Sequence, residues 1–554
     1  MLLKKIKTPG LSHLSYLIGS GGKAAVIDPR RDCDIYLETA RAEGLEITHI
    51  FETHRNEDLV SGAPILANMT GAKIFHGPNA EGDVVYAATT REGDRFEIGQ
   101  LAIEVIETPG HTDDHVAYAV YDSEYPDGAV GVFTGDALFV GDVGRTDFYP
   151  DRKREVAGLL FDSLHKLLAL GDHAMIYPAH GAGSVCGSGM AEREFSTVGH
   201  ERKNNPRLQI ESRDDFIEAK ISENHYQPPY FRLMERLNLE GGDPAPRVAK
   251  PKNLSLSELD DCSVTHLVDV RDPMAYASGH FPGSMCLPVG MIPAFAGWFI
   301  GEGDSVLLIG SDESELAAAT EHLVRIALDN IAGGYTGIVP AAAAGKNLEQ
   351  IPMIGTDEIR KRLKDDRSDW TLLDVRDADE RSEISIDGSQ HIYVGELNER
   401  WKALDKARHY TLMCASGMRA TVAAGWLASR TLPFRAPEQF SGRYSEQDRN
   451  NVCHKIHPVG VASKSHRQLQ KFYAAAESHQ HREQDRTIGP HPKQPGHHRQ
   501  GEKCKAMVEL VVGKYRRRVS GWHDRHGKND AEQKPEQDAK YFWGGHRDLL
   551  TGTI

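Results

Sequence analysis

Four short apolar runs in the first 180 residues each lead to a side chain that can bind metal, and this recurrence limits the fold more than any bulk property. The run at 47–51 continues to His54. The run at 103–106 passes through Thr108-Pro109-Gly110 to His111, the run at 131–133 leads to Asp136, and the run at 175–177 passes through Pro178-Ala179 to His180. Residues just past strand ends sit on loops that a rigid sheet holds in place, so four such loops can converge on one point. Gly and Pro in these turns permit tight backbone geometry beside a bound ion. One histidine in such a place is an ordinary loop residue; four ligating groups point to a metal centre.

A second constraint is an internal repeat. Leu267-Val268-Asp269-Val270-Arg271 recurs as Leu372-Leu373-Asp374-Val375-Arg376, and Gly279-His280-Phe281-Pro282-Gly283-Ser284 has a weaker echo in Ile386-Asp387-Gly388-Ser389. In each copy an apolar strand then enters a loop and an alanine-rich helix, which gives two α/β units of about 100 residues. In the second copy Tyr410-Thr411-Leu412-Met413 ends on Cys414, whose loop opens a helix. Free backbone N–H groups and the positive helix end favour a thiolate there, and Arg419 adds a cation. Cys414 is the expected nucleophile, with Ala415, Ser416, Gly417, Met418 and Ala420 as its sulfur-binding loop. The first copy has Gly310 in place of Cys414 and Glu315 in place of Arg419, so it has lost both nucleophile and cation. Cys262 and Cys286 lie elsewhere in the repeat and do not replace the thiol. A structural or docking role is expected for this unit.

Two imidazoles and a carboxylate, His54, His111 and Asp136, form the set that holds non-haem Fe(II) while leaving positions open for dioxygen and substrate. Asp58 and His180 then serve to orient ligands or a bound water. Cys186 follows His180 by six residues and reads equally as a contact for a sulfur substrate or as a buried structural thiol.

The first half of the chain resembles the persulfide dioxygenases of the metallo-β-lactamase superfamily. The likeness rests on Thr108-Pro109-Gly110-His111-Thr112, Phe133-Thr134-Gly135-Asp136-Ala137-Leu138, Gly144-Arg145-Thr146-Asp147-Phe148, Tyr177-Pro178-Ala179-His180 and Asn205-Pro206-Arg207. It implies an αββα sandwich and one iron on the positions of His54, His111 and Asp136. It also implies oxidation of a low-molecular-weight persulfide by O2 to sulfite, with Arg145 beside the metal or substrate. The family carries T-H-x-H-x-D-H where this chain reads Thr53-His54-Arg55-Asn56-Glu57-Asp58-Leu59. Leu59 cannot ligate and an Asn56 amide is a poor zinc ligand, so a second ion loses support. That counts against the related zinc-dependent thioester hydrolases of the glyoxalase II type, which need both ions. The repeated units resemble rhodanese sulfurtransferases through the Asp-Val-Arg element and the C-x-x-G-x-R-A loop, the first inactive and the second active. The resemblance therefore implies an α/β protein that couples persulfide oxidation to sulfur transfer, forming or using thiosulfate. Two alternatives are the zinc hydrolase, with zinc as the metal, and a non-catalytic sulfur-binding protein.

The expected domains are 1–240 for the metal-binding unit, 250–345 for the inactive rhodanese-like unit and 354–442 for the active one. Residues 443–554 hold eleven of the 27 histidines and little periodicity, and read as disordered. A reading-frame slip near Ser441 is a second explanation, because Gly442-Arg443-Tyr444-Ser445 read out of phase can give a Gly-Gly turn like Gly333-Gly334. The net charge of −15 weighs against nucleic acid, and no apolar run of about 18 residues suggests a membrane span. Seven cysteines without a C-x-x-C pair and no secretory signal suggest a reducing, cytoplasmic setting. The thiol carrier is open, and a homo-oligomer is compatible with the chain.

Overall fold

The computed structural model describes residues 1–79, 82–187, 189–242, 250–365, 369–431 and 456–459. Two six-stranded sheets form the first half. One orders Leu2–Thr8, His13–Ser20, Lys23–Ile27, Glu46–Phe51, Lys73–His76 and Ala88–Thr89; the other orders Ser196–Thr197, Met175–Pro178, Gly131–Gly135, Val116–Asp122, Leu101–Glu107 and Arg95–Ile98. Alternation of side chains along each strand separates two faces. Leu14, Tyr16 and Ile18 point to the facing sheet, where Ile103, Val105, Tyr118 and Phe133 meet them, while Leu17 points outward. The outer face of the first sheet packs on helices Asp34–Ala42 and Ala63–Thr70. That of the second packs on helix Lys153–Leu168. The layers are α, β, β, α.

Two glycines set the direction of the ligand loops. Gly110, before His111, has φ +137°, and Gly135, before Asp136, has φ +51°, both in the left-handed half of backbone space. A Cβ at 110 would stand 2.3 Å from the Leu160 nitrogen, so helix Lys153–Leu168 packs directly on that backbone. Gly110→Ala is therefore expected to cost about 2–4 kcal/mol of stability, the sum of a backbone strain and an overpacking penalty. Chemical denaturation followed by circular dichroism measures it.

Each repeat is a four-stranded parallel sheet with the same order. The first runs Ser284–Cys286, His266–Asp269, Val306–Ile309 and Ile331–Tyr335; the second runs Gln390–His391, Trp370–Asp374, His409–Met413 and Ile456–Val459. The Asp-Val-Arg element does the same work in both. Arg271 closes a two-point pair on Asp269 at 2.8 and 2.6 Å, and Arg376 does so on Asp374 at 3.0 and 2.7 Å. The fourth strand of the second sheet lies past residue 442, within the segment expected to be disordered or frame-shifted. The rest of 443–554 lies outside the described residues.

The three units share one core. Helix Ile292–Phe299 of the first repeat is apolar on every side and buried at every residue but the half-buried Ala294, as a helix enclosed by protein must be. Gly297 lies against the Tyr230 ring, Trp298 packs edge-on to Tyr393 at 5.8 Å, and Phe299 packs on Trp426 at 5.5 Å. Polar contacts reinforce the first junction: Arg325 holds Asp32 at 3.0 and 2.7 Å, and Arg31 donates to the Val324 carbonyl at 2.9 Å. The repeat that lacks the loop cysteine thus wedges between the other two units. Among the described residues, no helix is long and apolar enough to cross a membrane.

Candidate metal centre and sulfur-transfer loop

His54, His111 and Asp136 arrive from three loops, are fully buried, and bring one ligand atom each within 4.8 Å of the others. Their outer contacts define which nitrogen faces inward. His54 Nδ1 lies 2.9 Å from Thr53 Oγ1, and that hydroxyl donates to Asp28 Oδ2 at 2.9 Å. The hydroxyl has spent its hydrogen, so Nδ1 of His54 carries the proton and donates. Asp28 also accepts from the Thr53 amide at 2.7 Å, and it adopts φ +50°, a left-handed geometry that bends the strand end toward the loop. His111 Nδ1 donates to the Arg145 carbonyl at 2.9 Å. In the neutral rings both Nε2 atoms present lone pairs, and neither makes a hydrogen bond. Burial holds His54 neutral with its pKa lowered to about 4, whereas against its burial the Glu57 and Asp136 carboxylates raise that of His111. Two buried, unpartnered imidazole nitrogens beside a carboxylate fit a metal ion.

His180 faces the same carboxylate from behind. Its Nδ1 lies 2.8 and 2.9 Å from the Asp136 oxygens and its Nε2 lies 3.0 Å from Asp58 Oδ2. Burial opposes a charge on His180, yet the carboxylates of Asp136 and Asp58 outweigh it and hold its pKa well above the ordinary value. An imidazolium with both N–H groups donating binds Asp136 to Asp58 and aims the first toward the metal site. Burial alone would raise the Asp136 pKa, but His180 dominates and lowers it far below the usual range. Leu59, next to Asp58 in the chain, is buried, and the Asn56 Oδ1 atom is buried without a hydrogen-bond partner.

Arg145 does not reach the ligand atoms. Its guanidinium clamps Asp147 at 2.7 Å twice, donates to the Val185 carbonyl at 3.2 Å, and lies 4.8 Å from the centre of the Phe148 ring. Its carbonyl, rather than its charge, positions His111. Cys186 is fully buried and donates its thiol hydrogen to Glu57 Oε1 at 3.2 Å. Burial and then the Glu57 charge push its pKa well up, so it is a neutral thiol. Cys186 also groups with Asp58 and His180 as a second set of ligand atoms within 4.8 Å.

Glu57 escaped the sequence reading although it lies between Asn56 and Asp58. Its carboxylate turns into the centre, 3.3 Å from His111 Nε2 and 3.8 Å from His54 Nε2. The overlooked signal is an acidic residue three positions after a ligand in a buried loop.

In the second repeat Cys414 ends strand His409–Met413, and helix Met418–Thr431 begins four residues later. The sulfur accepts hydrogen bonds from the backbone N–H of Gly417 at 3.1 Å and of Ala420 at 3.4 Å. Gly417 has φ +88°, which turns its N–H toward the sulfur. Ser416 is exposed, Ala415 and Met418 are half-buried, and Ala420 is buried beneath the loop. Arg419 hydrogen-bonds Glu380 Oε1 at 2.8 Å and Asp377 at 3.4 Å instead of the cysteine. Burial disfavours its charge, but Glu380 holds the guanidinium protonated. In the first repeat Glu315 folds over its own loop and accepts from the Ser311 N–H at 2.5 Å. A Cβ at Gly310 would stand 2.9 Å from Leu316, so the space used by Cys414 is filled by another side chain.

One segment links Arg145 to the second repeat. Arg145 donates to the Tyr226 carbonyl at 3.3 Å, and the Tyr226 ring stacks on Tyr393 at 4.0 Å in the second repeat.

Residues 8–180 match the Metallo-beta-lactamase superfamily. The crystal structure of a metallo-beta-lactamase from Staphylococcus aureus superposes with a TM-score of 0.56 at 30% identity, covering 60% of this chain and 98% of that one. The chain belongs to the metallo-β-lactamase superfamily. This superfamily member also carries two rhodanese-like domains, matched at residues 254–340 and 356–439. The mitochondrial persulfide dioxygenase ETHE1 of Mus musculus is 29% identical over 257 residues, 44% of this chain and 91% of that protein. A hydroxyacylglutathione hydrolase from Rhodospirillum rubrum is 37% identical over 166 residues, 29% of this chain and 57% of that protein. Likeness to the dioxygenase thus extends over nearly the whole relative, whereas likeness to the hydrolase stops at little more than half. The side chains that could hold a metal ion thus stand in a metallo-β-lactamase fold that is followed by two rhodanese-like domains.

Proposed function

We propose that the chain oxidises a low-molecular-weight persulfide with O2 to sulfite at His54, His111 and Asp136, and transfers sulfane sulfur through Cys414. The observation that carries this reading is the pair of inward, unpartnered Nε2 atoms beside Asp136, in the same chain as a cysteine cradled by backbone N–H groups. A single Fe(II) held by the three side chains supplies the redox chemistry by which dioxygen oxidises the outer sulfur.

The protein groups have separate tasks. Thr53 and the Arg145 carbonyl hold the two imidazoles, His180 holds Asp136, and burial keeps bulk water from the reacting sulfur. In the transfer half, the Cys414 thiolate attacks the outer sulfur of a second persulfide. A new S–S bond forms at Cys414, the bond to the carrier thiol breaks, and the thiol leaves with a proton. Sulfite then attacks the sulfane sulfur, thiosulfate departs, and the Cys414 thiolate is restored. The Gly417 and Ala420 N–H groups stabilise that anion at both ends of the cycle. The reverse direction, persulfide from thiosulfate and a thiol, uses the same groups.

One observation favours a second reading. Asp58, His180 and Cys186 form another ligand set, so a binuclear zinc hydrolase has a candidate second site in which the thiol replaces the histidine lost at Leu59. Metal analysis of protein purified without oxygen, together with an oxygen electrode and glutathione persulfide as substrate, separates the two. One iron per chain with oxygen uptake and sulfite release is expected. Two zinc ions per chain, with thioester hydrolysis and no oxygen uptake, would replace this reading by the hydrolase.

A further inference from the structure

Glu57 is a carboxylate directed at the metal centre, and the proposed function gives it no task. It is buried, and its Oε2 atom has no hydrogen-bond partner. Oε1 stands 3.3 Å from His111 Nε2 and Oε2 stands 3.8 Å from His54 Nε2. Asp136 Oδ2 stands 3.5 and 3.9 Å from the same two nitrogens. Glu57 and Asp136 therefore flank the pair of imidazoles at matching distances. Ligand atoms about 2.1 Å from one ion lie roughly 3.0–3.4 Å apart. The separations of 3.3 and 3.8 Å to Glu57 and of 3.5 and 3.9 Å to Asp136 are close to that range, with Glu57 meeting the two imidazoles through different oxygens. A buried carboxylate has to be paired, hydrogen-bonded or coordinated, and Cys186 satisfies only Oε1.

We propose that Glu57 is a fourth protein ligand to the metal, so that this centre is built from two imidazoles and two carboxylates. The proposal rests on the metal centre read from His54, His111 and Asp136. It also accounts for Asn56: the loop has lost a ligand at one position and regained one at the next. Two carboxylates balance the charge of a divalent ion in a site closed to solvent. With Glu57 as a fourth protein ligand, fewer positions would remain on the ion for other ligands than the triad alone would leave. A substrate that chelates through two atoms would then compete with Glu57, whereas one bound through a single sulfur would not. Cys186, as donor to Glu57 Oε1, is a positioning residue for this carboxylate.

The test is anaerobic titration of the full chain with Fe(II) against a chromophoric chelator, plus the visible spectrum of the Co(II)-loaded protein. Glu57→Gln keeps the shape and replaces the carboxylate by a poor ligand. It is expected to lower Fe(II) affinity at least about tenfold and to alter the Co(II) bands, since even outer groups around a metal are worth that much. His111→Ala is the control. If neither variant changes the affinity, the metal centre itself is misread. If His111→Ala abolishes binding while Glu57→Gln keeps the parent affinity and spectrum, only the role of Glu57 is overturned. A crystal structure of the Co(II)-loaded parent chain needs no variant. A Glu57 oxygen within about 2.3 Å of the ion supports the assignment, and one beyond 3 Å refutes it.

Discussion

His111→Ala is expected to abolish oxygen uptake with a persulfide substrate and to lower Fe(II) affinity by about a hundredfold or more. The imidazole enters the site with its Nδ1 proton already committed to the Arg145 carbonyl, so its Nε2 lone pair is fixed in direction before any ion arrives. Alanine removes that ligand and leaves His54 and Asp136, which come from opposite sheets, without the third side chain between them. The change falls on a loop already defined by Gly110 and by the packing of helix Lys153–Leu168, so the fold should survive. Oxygen-electrode traces and metal content of the purified variant measure the effect. Oxygen uptake at the parent rate would remove the iron assignment. Sulfur transfer from thiosulfate to a thiol should persist, because Cys414 lies in a different unit.

Cys414→Ser is expected to reduce thiosulfate formation by about 10³-fold or more, a size typical of losing a nucleophile. Serine fits the same space but has a far higher pKa and no sulfur to carry, so the N–H groups of Gly417 and Ala420 would have no anion to receive. Sulfite should then accumulate during persulfide oxidation, since its conversion needs sulfane sulfur held on the protein. Ion chromatography of sulfite and thiosulfate reads both sides at once. Unchanged thiosulfate would show that Cys414 is not the carrier.

The strand-to-ligand pattern and the repeated Asp-Val-Arg element were both readable from residue order. Each depends on local chemistry: a run of apolar residues, a turn-forming glycine, and a ligating or paired side chain within a few positions. The absence of a nucleophile in the first repeat was equally readable, since Gly310 has no side chain to react. Its consequence was not. That helix Ile292–Phe299 lies between the other two units depends on which surfaces meet, and an apolar octapeptide alone is compatible with many burials.

Arg419 shows the same division. Its position in the loop that opens the helix suggested a cation for Cys414, but Glu380 and Asp377 come from another element more than 35 residues earlier and take its hydrogen bonds. Arg145 was expected beside the metal or substrate, and it acts on His111 through its carbonyl while its guanidinium holds Asp147 and Tyr226.

By itself, residue order determined that four strand ends carry ligating side chains ahead of two α/β repeats, one with a cysteine loop and one without. Those are statements about periodicity and about side chains close in the chain. Only the tertiary structure decided that Glu57 turns inward, that His180 bridges Asp136 and Asp58, and that Cys186 stands against Glu57. The reason is distance: Cys186 and Glu57 are 129 residues apart, His180 and Asp58 are 122 apart, and no local rule relates their orientations until the sheets close around them.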